Sequence, residues 1–208
     1  KKMIDKFCDW LIKKMKGKMP EIDEEKELVI NFGIRLLFGE IPKILALFVL
    51  GFLLQIGWYT LLLYLLLAPY RSFTGGFHLK THWGCMISSI VLYIIPILIA
   101  KYMTIQQNYI IYIATGVIGI LSVIFITKYA PADTENIPIL SKRERKSKKI
   151  KSYISLVILL TIIIFVPDKI VSGMLLYGMF LQDLTLTPIA YKLTKNKYSY
   201  EVYTEETI

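Results

Sequence analysis

Cysteine and histidine are scarce. Cys8 and Cys85, His78 and His82 are all the chain holds in 208 residues. The two cysteines stand in unrelated settings at no framework spacing, which argues against a disulfide scaffold and for a reduced thiol facing a cytoplasm. Strand-length alternation of apolar and polar residues is missing, so helices, and not a barrel, must satisfy the backbone of any membrane-embedded part. There is no repeat period and no low-complexity tract. The first residues are basic, but no uninterrupted apolar core with a small-residue cleavage site follows, and no cleavable signal peptide is expected. Acidic residues are few, 16 against 25 basic, for a net charge of +9. The basic residues cluster beside hydrophobic runs, where they act as topology signals and contacts to anionic lipid, so nucleic acid is not an expected partner.

Hydrophobic residues make up 55% of the chain, and the mean hydropathy is +0.53. Charge-free stretches run at 44–68, 86–100, 108–127, 154–167 and 170–182. About 20 helical residues cross a hydrocarbon core of about 30 Å. The expected fold class is therefore an all-α integral membrane protein with about six transmembrane helices and an N-terminal amphipathic interfacial helix. Residues 1–27 hold that helix and a polar linker: Ile4, Phe7, Cys8, Leu11, Ile12 and Met15 recur at helical spacing, with lysines around the other face. Cys8 lies on the apolar stripe as a small hydrophobe. Residues 28–192 form the membrane-embedded domain, and 193–208 a cytoplasmic tail.

Counting spans between Leu28 and Leu67 rests on parity. With one span here and a cytoplasmic basic N-terminus, the loop 129–151, with seven Lys or Arg from Lys142 to Lys151, would fall outside the cell, against the positive-inside tendency. A hairpin breaking near Gly51 to Gly57 keeps both basic regions and residues 69–85 cytoplasmic. Glu40 and Lys43 then lie in the first span, close enough on a helix to pair, with a structural and a substrate-pathway role both open. Asp183 stands inside the sixth span, about 170–192, where an ionisable group either serves function or joins helices.

Residues 69–85 concentrate the chemistry. Arg71, His78, Lys80, His82 and Cys85 lie between the uncharged run ending at Ala68 and the one beginning at Met86, at the mouth of the membrane region. Gly75 and Gly76 can adopt positive φ and bring backbone close to a bound group. Three readings compete. His78 and Cys85 form a base and a nucleophile, His78 folding back from a loop onto a cysteine at a helix N-terminus. Alternatively His78, His82 and Cys85 present three zinc ligands on one helical face, against which stands the lack of a neighbouring glutamate and of a fourth ligand. Lastly, they are interfacial polar groups of a transporter or scaffold.

The order Arg71, Gly75-Gly76, His78, Cys85, followed by Tyr-Ala-Pro-Ala-Asp at 129–133, Ile-Pro-Ile at 137–139 and a Lys/Arg run, resembles the accessory gene regulator protein B family over nearly the whole chain. That resemblance implies a cysteine endopeptidase of quorum sensing in the bacterial cytoplasmic membrane, multi-pass, with both termini cytoplasmic. Its substrate would be a propeptide of the AgrD type, whose C-terminal tail is removed and whose remainder is closed into a thiolactone or lactone. It further implies His78 and Cys85 as catalytic residues, Arg71 and Gly76 as required beside them, no metal or other cofactor, and a homodimer. Gly75 and Gly76 are candidate oxyanion donors and Arg71 a candidate carboxylate ligand. Asp133 or Asp183 is the candidate to orient His78. The alternative reading is a peptide transporter or exporter without proteolytic activity.

Overall fold

The computed structural model describes residues 24–79, 81–134, 138–139 and 141–197, with Trp10, Lys14 and Met15. Most of the predicted interfacial helix, most of the linker and most of the C-terminal tail lie outside the described residues, as do several side chains before Glu40 and that of His82. The described chain is helical: α1 Glu24–Leu53, α2 Gly57–Thr74, α3 His82–Tyr102, α4 Asn108–Tyr129, α5 Lys142–Phe165, α6 Lys169–Leu184 and α7 Pro188–Leu193. Among the described residues there is no strand, only an isolated parallel bridge between Gly75 and Ala132.

The predicted hairpin break falls at Leu54 to Ile56, between α1 and α2. Three boundaries differ from expectation. First, α1 begins at Glu24, inside the acidic stretch assigned to the linker, because carboxylates suit a helix N-terminus. Second, the basic run is helical: α5 starts at Lys142, its N-cap Ser141 accepting from the Glu144 amide. The sixth apolar segment, lastly, is two helices, with Thr187 capping α7 through the Ala190 amide and Pro188 in its first turn.

Packing follows helical periodicity. In α2 the buried face is Gly57, Thr60, Leu63, Leu67, Tyr70 and Thr74; in α5 it is Ser152, Leu156, Leu159 and Ile163. Helix α6 is buried nearly all round and touches α2, α3, α4 and α5, which makes it the axis of the bundle. Gly173 and Gly178 allow this: a Cβ there would stand 3.1 Å from Ala100 and 3.2 Å from Leu67. Outward faces carry apolar side chains instead of charges, among them Val91 and Ile95 on α3, Val117, Ile120 and Val123 on α4, and Val157 and Ile158 on α5.

Among the described residues two helices are long and apolar enough to cross a membrane, over Trp83–Tyr102 and Asn108–Tyr129. Only 33% and 28% of their apolar windows are buried within the protein, so these are not core helices of a water-soluble fold, and the pattern fits a membrane protein. The helices alternate in direction. At one end Tyr59 donates to Asp168 at 3.2 Å and Lys169 contacts Asn108. At the other, residues 74–77 meet 132 and 185, and Lys151 lies over the Phe73 ring. The stretch 69–85 and the basic segment thus share one end.

Candidate functional site

A cavity of about 350 Å³ opens at that shared end, between α1, α2, α3, α5 and residues 131–134. Arg71 and His78 line it, with Gly75, Gly76 and Asp133; from α1 come Glu40 and Lys43, and from α5 Lys148. Most of the predicted site residues therefore converge.

The glycines are explained by local geometry. Gly75 has φ 78° and Gly76 φ 138°, both in the region that side chains resist. A Cβ on Gly75 would stand 2.0 Å from the Ala132 carbonyl oxygen, and one on Gly76 2.5 Å from Thr185 Oγ1. Gly76 N–H donates to Ala132 O at 2.8 Å, Ala132 N–H to Thr74 O at 2.8 Å, and Gly75 N–H to Arg71 O at 2.8 Å. The two amides expected to await an oxyanion are thus already engaged here. Their contribution in this conformation is to let the Gly-Gly and Tyr-Ala-Pro-Ala-Asp segments touch, joining motifs more than fifty positions apart.

Gln182, absent from the sequence expectations, is the pin of the site. Fully buried on α6, it accepts from Arg71 Nη1 at 2.7 Å and donates through Nε2 to Gly75 O at 2.7 Å and Thr74 Oγ1 at 3.1 Å. Arg71 also faces Phe77 O at 3.5 Å. Among the described residues no carboxylate pairs with Arg71, so its charge stays unneutralised at the cavity wall. The signal for Gln182 was a polar amide inside an apolar run, where burial obliges partners.

His78 sits in the loop after α2, half-buried. Burial, and then the positive charge of Arg71, push its imidazole down to about 4. It is neutral at physiological pH, able to accept a proton but poor at keeping one. Cys85 lies in the first turn of α3, its amide on Thr81 O at 3.0 Å, and Thr81 Oγ1 caps the helix through Gly84 N–H at 3.1 Å. Its half-buried, free thiol takes a hydrogen bond from Lys43 Nζ at 3.4 Å, while the same ammonium is ion-paired to Glu40. Sequence spacing found the Glu40–Lys43 pair, but spacing alone does not reveal a partner 42 positions away.

The two candidate orienting acids are placed differently: Asp133 lines the cavity with His78 and Asp183 does not. Asp183 accepts from Tyr70 at 2.7 Å and from Ser122, tying α2, α4 and α6 outside the cavity that His78 lines. Asp133, at the cavity wall, accepts from the Ile139 amide at 2.8 Å and from Arg145 of α5 at 2.5 Å. No three His, Cys, Asp or Glu side chains converge as a metal site among the described residues.

No solved structure matches the chain. The family model described as Accessory gene regulator B matches residues 4–186. Accessory gene regulator protein B of Staphylococcus intermedius is 34% identical over 163 residues, 78% of this chain and 82% of its own length. The protein of that name from Staphylococcus aureus (strain MRSA252) is 30% identical over 188 residues, 90% of this chain and 94% of its own. An AgrB-like protein of Listeria monocytogenes is 28% identical over 205 residues, 96% and 94% of the two chains. With a family model covering most of its length and relatives matched almost end to end, the chain belongs to the accessory gene regulator B family.

Proposed function

We propose that this protein is a membrane-embedded cysteine endopeptidase of quorum sensing. It cleaves the C-terminal tail of an AgrD-type propeptide through a thioester on Cys85 and cyclises the remainder to a thiolactone or lactone. The observation that carries the reading is the placement of the one described free thiol beside a cation, next to a cavity lined by a neutral histidine and an arginine that no described carboxylate pairs.

The chemistry runs in two exchanges. The proton of Cys85 passes to His78, sulfur attacks a propeptide carbonyl, the C–S bond forms and the C–N bond breaks; the proton then leaves on the amine of the released tail. Because His78 holds a proton poorly, the imidazolium is a passing state and not a resting one. A thiol or hydroxyl of the tethered peptide next attacks the thioester carbonyl, the C–S bond breaks, and its proton returns through His78 to Cys85. Water loses this competition where the intramolecular nucleophile is held at high effective concentration. Arg71, pinned by Gln182, attracts a substrate carboxylate.

Six spans with both termini cytoplasmic suit this reading, α1, α2, α5 and α6 crossing beside the two more apolar helices, in a homodimer contacting anionic lipid. The test is incubation of the full chain in lipid vesicles with its propeptide. Tail release that Cys85→Ala and His78→Ala abolish is expected. Intact propeptide on both sides of the vesicle, with no tail released, would establish a transporter instead.

A further inference from the structure

We propose that Lys43 is a third catalytic residue, whose ammonium carries the negative charge of the Cys85 sulfur each time that sulfur attacks or departs; this deepens the thioester reading and rests on it. Lys43 is 8% exposed, held by α1 between the Glu40 carboxylate and the sulfur, with Nζ 3.4 Å from Sγ. A lysine brought this far from water needs compensating charge, and one partner, Glu40, is half exposed. The reacting sulfur is the other.

The need for such a group follows from His78. In a cysteine–histidine pair the imidazolium ordinarily balances the thiolate, but here burial and Arg71 oppose a charged imidazole. Proton transfer and charge balance are therefore divided between two side chains. His78 moves the proton; Lys43, keeping its own protons throughout, balances the charge. The same ammonium serves both exchanges. It faces sulfur as the C–S bond forms and the peptide C–N bond breaks, and again as the ring-closing nucleophile displaces sulfur from the acyl carbon and Cys85 departs as thiolate. It adds a donor at the cavity wall where the Gly75 and Gly76 amides are occupied.

The experiment measures alkylation of Cys85 by mass spectrometry in the full chain carrying Cys8→Ser, comparing anionic iodoacetate with neutral iodoacetamide. The ratio of the two rates cancels accessibility and reports positive charge at the sulfur. It should fall roughly fivefold or more in Lys43→Met and in Lys43→Gln, which retains a donor for Glu40, and stay near the parent value in Lys43→Arg. Propeptide processing should fall roughly a hundredfold in the neutral variants, chiefly in kcat. An unchanged ratio in both neutral variants, with Cys85→Ala inactive, overturns the role of Lys43 and leaves the thioester standing. Processing by Cys85→Ala overturns the thioester itself, whatever the ratio.

Discussion

His78 and Arg71 sit on the same cavity wall, where burial and then the positive charge of Arg71 oppose protonation of the imidazole. The folded protein resists protonating His78 until pH falls to about 4, whereas a free histidine protonates near 6.5. The unfolded chain therefore binds the extra proton between those values, and stability declines as pH drops through that window. In a His82→Asn background, carbethoxylation of His78 followed at 240 nm should lose rate only below about pH 5, and Arg71→Gln should move that loss toward the ordinary histidine range. A midpoint near 6.5 in the parent would contradict the burial argument. Gln182 offers a second probe at this scale. Gln182→Glu sets a carboxylate against Arg71 and neutralises the charge proposed to attract substrate. KM for the propeptide should rise roughly tenfold with a smaller change in kcat; an equal fall in kcat alone would place Arg71 in holding the loop.

The contact between the end of α2 and the segment after α4 depends on two glycines with positive φ. Gly75→Ala meets the Ala132 carbonyl as well as an unfavourable φ, which by itself costs about 1–3 kcal/mol. Gly76→Ala carries its own unfavourable φ of 138° but meets a side-chain oxygen, Thr185 Oγ1, in place of backbone, so Gly75→Ala should lower the thermal midpoint in detergent further. Helix α5 extends the basic run into the cavity rim, where its charges have different duties. Lys142, Arg143 and Lys146 are exposed, whereas Arg145 binds Asp133 and Lys149 donates to Thr127 O at 2.7 Å. Changing the first three to Gln should raise KM at low salt and lose its effect at high salt, where screening acts within a few ångströms. Arg145→Gln should impair processing at every salt concentration, because it removes the guanidinium from the Asp133 carboxylate that also holds the Ile139 amide. The acidic start of α1 and the Ser141 cap of α5 lie in charged runs that carry no apolar period and so read as linker and loop, whereas the apolar faces were legible. The division of the sixth segment at Thr185 was less so, since a threonine-rich turn inside an apolar run is decided by contacts of Thr185 with Gly76 and Phe77.

At the scale of the whole molecule, the charge-free runs conveyed the helical architecture, and the 69–85 stretch held Arg71, Gly75, Gly76 and His78, which line the cavity, with Cys85 on Lys43. What the spacing could not convey was pairing across helices: Lys43 with Cys85, Arg71 with Gln182, Tyr70 and Ser122 with Asp183. Such contacts depend on how α1, α4 and α6 are rotated in the bundle, which periodicity leaves open once a helix is apolar on most faces, as α6 is. The six-span arrangement is tested by impermeant thiol reagents on intact cells, in a chain freed of Cys8 and Cys85. A cysteine at Gln106 should label from outside, and cysteines at Ser72 and Ser147 should not; labelling of the latter two would overturn the topology. The central claim is the covalent intermediate, and it is tested most directly by a propeptide whose ring-closing residue is replaced by Ala. With no internal nucleophile to complete the second exchange, the tail should be released while mass spectrometry finds the remaining peptide as a hydroxylamine-labile adduct on Cys85. Tail release with no adduct, by a protein in which Cys85→Ala is still active, would contradict the account.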